Sequence, residues 1–224
     1  MKILMATYEG VPGYSRLHIY MEKLKAGLEG NGHQVDTLSH EPWMTLLYLN
    51  GNLSTSVLKE KIRGPLAREV FAFYKNHYKE IESWVIWRDI ERYTFELCSA
   101  YLIDSFEKYD IVHAQDLFSA RALSRIMPEN IPLVTTIHSV MTQDLENKKQ
   151  IWGEETARWK YVSLEEYFGI ISSDVVMCPQ GIKDEDERKF NLGEQPMISI
   201  RYDLDNEKEL THETINVYQS CLQR

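Results

Sequence analysis

Apolar residues recur along the chain in two rhythms. Short runs rich in β-branched residues are expected to be strands: Ile3 to Thr7, Gln34 to Leu38, Asp110 to Ala114, Pro132 to Ile137, Asp174 to Met177 and Met197 to Tyr202. Several are apolar without alternation, as in Ile111-Val112 and Val175-Val176-Met177. That is the texture of strands covered on both faces, hence of a parallel sheet. After the first run, Leu17, Tyr20, Met21, Leu24 and Leu28 fall on one face of a helix, and Gly30 and Gly32 stop it. Alternating β and α elements predict an α/β fold, a doubly wound parallel sheet with right-handed crossovers.

Between Val57 and Lys108 this rhythm changes. Helix formers and aromatics, among them Phe71, Phe73, Tyr74, Tyr78, Trp84, Trp87 and Tyr93, predict two helices, roughly 57–81 and 88–107, inserted on one edge of the sheet. In the first, Lys59, Lys61, Arg63, Arg68, Lys75 and Lys79 outnumber the acids. A basic aromatic helix suits an anionic membrane or a partner, so peripheral membrane contact stays open. Aromatics in the core and lysines in water is the preferred reading. Gly181 to Asn191 reads as a charged surface helix. The last helix, about Glu207 to Leu222, carries Leu210, Ile215, Tyr218 and Leu222 on one side. With no repeats and no linker of low complexity, residues 1–224 are expected to form one domain.

Composition narrows the choices. The 224 residues are 43% hydrophobic, enough for a sizeable core, and the formal net charge of -9 argues against a general nucleic-acid role. Cys98, Cys178 and Cys221 lie far apart with no metal-ligand spacing. An odd number of cysteines suggests reduced thiols in a cytoplasmic protein, and no metal site is expected. MKILMATY lacks the long apolar core of a signal peptide, and no run approaches the ~20 residues that span a bilayer.

Three segments carry candidate chemistry. In YEGVPGYS, Gly10 and Gly13 permit left-handed backbone and close approach of N–H groups to a ligand. Ser15 is placed to cap the following helix, whose N-terminus favours phosphate or carboxylate, and Arg16 adds a charge. The loop is neither G-x-G-x-x-G nor a Walker loop, so a mere tight turn remains open. His113-Ala114-Gln115-Asp116 ends one strand, and Thr136-Ile137-His138-Ser139 ends the next. Ligands of open α/β sheets bind outside the carboxyl ends of strands, where these three segments converge.

The ordered set MKILMATYEGVPGYSR, EGNGHQVDTL, YDIVHAQDLFSA, IPLVTTIHS and EEYFGIISSDVVMCPQGIKDE resembles the N-terminal domain of GT-B glycosyltransferases, closest to the retaining family-four group. The resemblance runs from Met1 to about Lys208. It implies a Rossmann-like domain that mainly binds the acceptor, with a nucleotide sugar as donor substrate, no further cofactor and a hexosyltransferase activity. His138 would lie beside the transferred sugar as the catalytic residue. Gly10, Gly13, Tyr14, Ser15 and Arg16 would approach donor phosphates and acceptor. His113 and Asp116 would line the acceptor cleft, with Thr136 and Ser139 near the substrate.

The chain also departs from the family's pattern. Tyr14 stands where a small residue is usual, and Asp203-Leu204-Asp205 replaces a glycine-bearing hinge. No second Rossmann domain follows, so the isolated chain is expected to be inactive. A natural end at Arg224 is favoured, with THETINVYQSCL as the helix that crosses back. Three functions remain. One is the acceptor half of a transferase, acting on a sugar or glycan with a separate donor domain or chain. The second is a non-catalytic binding or regulatory module, pairing through its open face with a partner or with itself. The third is another nucleotide-using enzyme, disfavoured because Leu38-Ser39-His40 follows the second strand without an acidic ribose ligand at the usual place.

Overall fold

The computed structural model of the chain describes all residues except 14, 79, 191, 201–204 and 224, and the side chain of 188. Tyr14 and the altered hinge at Asp203-Leu204 therefore lie outside the described residues. Strand β1 (Lys2–Gly10) leads through helix α1 (Arg16–Gly30) to β2 (Gln34–His40). A hairpin, β3 (Leu46–Leu49) and β4 (Ser56–Leu58), precedes helices α2 (Lys59–His77) and α3 (Ser83–Leu102). Then come β5 (Ile111–Ala114), α4 (Leu117–Leu123), β6 (Leu133–Thr136), α5 (Met141–Asn147) and α6 (Ala157–Ile171). The chain closes with β7 (Val175–Cys178), α7 (Gln180–Lys189), β8 (Met197–Ser199) and α8 (Glu207–Leu222).

The eight strands form one sheet in the order β4-β3-β2-β1-β5-β6-β7-β8. From β2 to β8 all pairs are parallel, while β3 and β4 add antiparallel at the outer edge. All six expected strands are present, the last as Met197–Ser199 with 201 and 202 outside the described residues, whereas β3 and β4 were not foreseen. Their apolar run is short, the four residues Leu46-Leu47-Tyr48-Leu49, but Asn50 and Gly51 follow with φ of 57° and 64°. Such an Asn-Gly pair in left-handed backbone is a strong short-range hairpin sign.

Period-two alternation sorts the strand side chains onto two cores. Leu4, Ala6, Leu38, Val112 and Ala114 face Phe95 and Cys98 of α3 and Phe118 of α4. Ile3, Met5, Ile111, Val134 and Met177 face Leu17, Tyr20, Leu24 and Leu28 of α1 and Leu210, Val217 and Tyr218 of α8. The helical insertion is thus not an edge ornament. α3 runs Ser83–Leu102 rather than 88–107, and its buried stripe of Ile86, Ile90, Phe95 and Cys98 covers one face of the sheet. Residues 57 and 58 belong to β4, so α2 starts at Lys59.

The cations of α2 divide between inside and outside. Lys59 is buried with Nζ 2.7 Å from Glu91 of α3, and Arg63 bridges Glu60 and Glu91. Phe73, Tyr78 and Trp87 remain exposed, so not every aromatic of the pair enters the core. No helix among the described residues is long and apolar enough to cross a membrane.

Candidate functional site at the switch point

Strand order reverses between β1 and β5, since the chain runs outward from β1 through β2 on one side and from β5 onward on the other. The loops at their carboxyl ends must part there, which opens a crevice. A cleft of about 180 Å³ lies at this place. Tyr8 and Glu9 of β1, Gln115 and Asp116 after β5, and His138 and Ser139 after β6 line it. Arg88 of α3, Asp144 of α5 and Lys148 just after that helix line it too. A second hollow of about 370 Å³ shares Glu9, Leu17, His138, Ser139 and Asp144, and adds Ser15, Arg16 and Pro179.

His138 is one of the residues on which both hollows converge. Its Nε2 lies 3.3 Å from Oε1 of Gln115, and its ring stands edge-on to Tyr20 at 4.7 Å between centroids. Burial drives its pKa down to about 3, so the imidazole is neutral. A neutral ring at this position offers hydrogen bonding without bringing a charge. Ser139 is exposed and donates to Oδ2 of Asp144 at 2.7 Å.

His113 does not reach the cleft. It is fully buried, with Nδ1 2.6 Å from the Tyr218 hydroxyl of α8 and Nε2 2.8 Å from the hydroxyl of Thr136. Thr136 is likewise fully buried. Both expected contacts with substrate therefore give way to an internal bridge from β5 to β6 and α8. The reason is the pleat: His113 pairs with Met5 and Val134, and its side chain points to the α1–α8 face rather than along the strand.

Asp116 lines the cleft, but its oxygens are occupied by the fold. Oδ1 caps α4 by accepting from the Ser119 N–H at 2.7 Å; Oδ2 accepts from the Tyr8 N–H and the Thr7 hydroxyl at 2.8 and 2.9 Å. It clamps the end of β1 to the start of α4.

The glycine loop is built differently from a phosphate cradle. Neither Gly10 nor Gly13 has a positive φ. A Cβ on Gly10 would come within 2.9 Å of the Glu41 carbonyl oxygen, so its close approach is to the chain after β2, not to a ligand. The Val11 N–H is spent on the His40 carbonyl at 2.7 Å. Ser15 does cap α1, accepting from the His18 N–H at 3.2 Å, and its hydroxyl donates to Glu9 at 3.1 Å. Arg16 opens the helix beside the second hollow.

Sequence reasoning passed over several cleft residues. Glu9 had a local signal, an acid directly before the glycine loop. Burial, with Asp116 nearby, pushes its carboxyl pKa up. Gln115 stood inside the quoted strand-end segment but has no charge to attract notice. Arg88 had none, for it comes from the middle of α3; its guanidinium is held by Glu165 of α6 at 2.7 Å and lies 5.0 Å from the Phe118 ring centre. Among the described residues no group of three or more His, Cys, Asp or Glu is disposed to hold a metal.

Comparison with known proteins bears on the family and the fold. Glycosyltransferase Family 4 matches residues 17–192. Two solved structures share the fold. One is sucrose-phosphate synthase from Thermosynechococcus elongatus in the form designated 27_220_406_426. Its TM-score is 0.51 at 13% identity, with 98% of each chain covered. The other is sucrose-phosphate synthase from the same organism, with a TM-score of 0.50 at 15% identity; 89% of this chain matches 47% of that one. The chain thus spans about half the length of that second relative. No curated protein matches by sequence. The fold is that of a GT-B N-terminal, Rossmann-like domain, and with a family match over most of its length the chain belongs to Glycosyltransferase Family 4.

Proposed function

We propose that this domain binds the acceptor, and one side of a nucleotide sugar, in transfer of a hexosyl unit to a sugar or glycan in the cytoplasm. The observation that carries the reading is the convergence of His138, Glu9 and the N-terminus of α1 on one cleft at the switch point. In such a transfer the bond from the anomeric carbon to the diphosphate breaks and a bond to the acceptor oxygen forms. The charge that grows on the leaving diphosphate must be stabilised. The α1 N-terminus and Arg16 supply part of that. The neutral His138 ring hydrogen-bonds the sugar, while the cleft walls orient the acceptor. A second Rossmann unit, which the described residues do not contain, would supply the remaining diphosphate contacts from another segment or another chain.

Calorimetry of the chain with UDP-glucose and GDP-mannose tests this. One of the two should bind with a Kd of roughly 1 mM, about 4 kcal/mol. His138→Ala should abolish the heat at a temperature where its near-UV circular dichroism still matches the parent's. Silence from both nucleotide sugars at ten times that concentration would count against the reading.

The second reading, a non-catalytic module, is favoured by the loop. Its Val11 N–H is committed to His40 and Gly10 is packed on Glu41, which leaves less backbone for phosphate. Tight self-association in sedimentation, with no nucleotide-sugar heat, would support it.

A further inference from the structure

The cleft beside His138 holds a buried donor with nothing to donate to. The Gln115 side chain is fully buried and lines the cleft, its Oε1 is taken up by His138, and its amide nitrogen has no partner among the described residues. The Gln115 N–H bonds the Ala6 carbonyl at 2.8 Å, which fixes the backbone from which the side chain projects. A buried amide N–H left unpaired carries the full cost of its desolvation, so such groups mark the place of a ligand or an ordered water. On the same cleft, Glu9 offers the complementary function. Its Oε2 accepts from Ser15, and Oε1 has no hydrogen-bond partner among the described residues.

We infer that Gln115 and Glu9 form a donor–acceptor pair that reads adjacent hydroxyls of the sugar bound beside His138. The claim that a sugar binds there rests on the transferase reading above; the assignment of these two residues goes beyond it. A hydroxyl both donates and accepts, so neighbouring hydroxyls of a pyranose satisfy the Gln115 amide and the Glu9 carboxylate together. A phosphate only accepts, and here the carboxylates of Glu9, Asp116 and Asp144 outnumber the cations Lys148 and Arg88, the latter already held by Glu165. The pair therefore selects an uncharged polyol edge over an anionic one. Because the Gln115 amide also holds the His138 ring through Oε1, occupying its nitrogen ties the sugar to the histidine's orientation.

NMR of the labelled full chain tests the pair directly. The Gln115 side-chain NH2 signal, assigned by its loss in Gln115→Met, is followed while methyl α-D-glucopyranoside, the galactoside, the mannoside or inorganic phosphate is added. At least one glycoside should shift the Gln115 amide and the His138 ring together, and phosphate should leave the amide unmoved. Glu9→Gln, an exposed substitution that keeps the melting temperature, should weaken that glycoside about tenfold. A parallel titration with UDP-glucose and GDP-mannose separates the two claims. Nucleotide sugars shifting Ser15 and His138 while no glycoside moves Gln115 would overturn the pair and leave the transferase reading standing. Glycosides moving Gln115 with no nucleotide-sugar response would do the reverse. A Gln115 signal that answers to phosphate, or a Glu9→Gln variant that binds the glycoside as well as the parent, also overturns the pair.

Discussion

His113 lies in β5 opposite Val134, and His138 follows β6 four positions further along the register, yet the sheet turns one inward and leaves the other on the cleft. For His113 the lowered pKa of about 3 comes from burial first and from His138 second. His40, buried with Nδ1 against the Tyr8 carbonyl, is pushed down to about 4 by burial and by Lys59. Both stay neutral in the fold while the unfolded chain takes up protons below a pH of about 6.5. Stability from these two groups is therefore complete above that pH and falls as pH drops toward their folded pKa values, by at most ~1.4 kcal/mol per pH unit each. Ring signals of His113 and His40 should not titrate between pH 8 and 5, and a midpoint above 6 for either would refute the assignment. His113→Leu should cost about 2–4 kcal/mol in urea unfolding, because it strands the Tyr218 and Thr136 hydroxyls.

Asp186 of α7 has the opposite sign. It is fully buried, neither oxygen has a hydrogen-bond partner among the described residues, and its pKa rises to about 7 through burial and then Glu166, with Lys189 opposing. A raised carboxyl pKa means that stability is lost as pH climbs from the unfolded value through the folded one. Asp186→Asn should thus stabilise the protein by roughly 2 kcal/mol at pH 8 and by little near pH 4. An equal effect at both values would show that the charge is not the cause.

At the scale of elements, two glycines set how closely helices pack. On α6, a Cβ at Gly169 would stand 2.6 Å from the Leu117 carbonyl oxygen and 2.7 Å from its Cβ. Neither can move without shifting α4, which Asp116 holds at its N-terminus and which borders the cleft. On α1, a Cβ at Gly27 would meet the Thr211 hydroxyl of α8 at 2.0 Å, but that oxygen can rotate away from its bond to the Glu207 carbonyl. Gly169→Ala should therefore cost about 2–3 kcal/mol and Gly27→Ala clearly less, both read from urea midpoints. The reverse order would mean that α8, not α4, is the rigid neighbour.

Across the whole molecule, the sheet is sealed on one face by α3 and α4 and on the other by α1 and α8. The three cysteines lie within these layers, and burial raises the Cys98 and Cys178 thiols to about 11 and 12. A thiol reagent at pH 8 should find no reactive cysteine in the native protein and three after denaturation. Reaction in step with denaturant would make the thiols a probe of global unfolding. One fast thiol in the native state would mean that a layer opens locally.

The residues by themselves determined the parallel sheet, because unbroken apolar runs such as Val175-Val176-Met177 have no stable place except between two helical layers. They determined the capped start of α1 at Ser15 and the carboxyl-edge location of the candidate site as well, since caps and strand ends are local. Tertiary structure alone decided which polar groups reach the cleft. Whether His113 bridges or binds depends on the pleat and on a tyrosine 105 residues away, and no local pattern records that pairing. Arg88 comes to the site from α3 only because that helix lies across the sheet, and only burial leaves the Gln115 amide nitrogen without a partner among the described residues. Periodicity records which face a side chain takes, but not what comes to meet it from elements far along the chain.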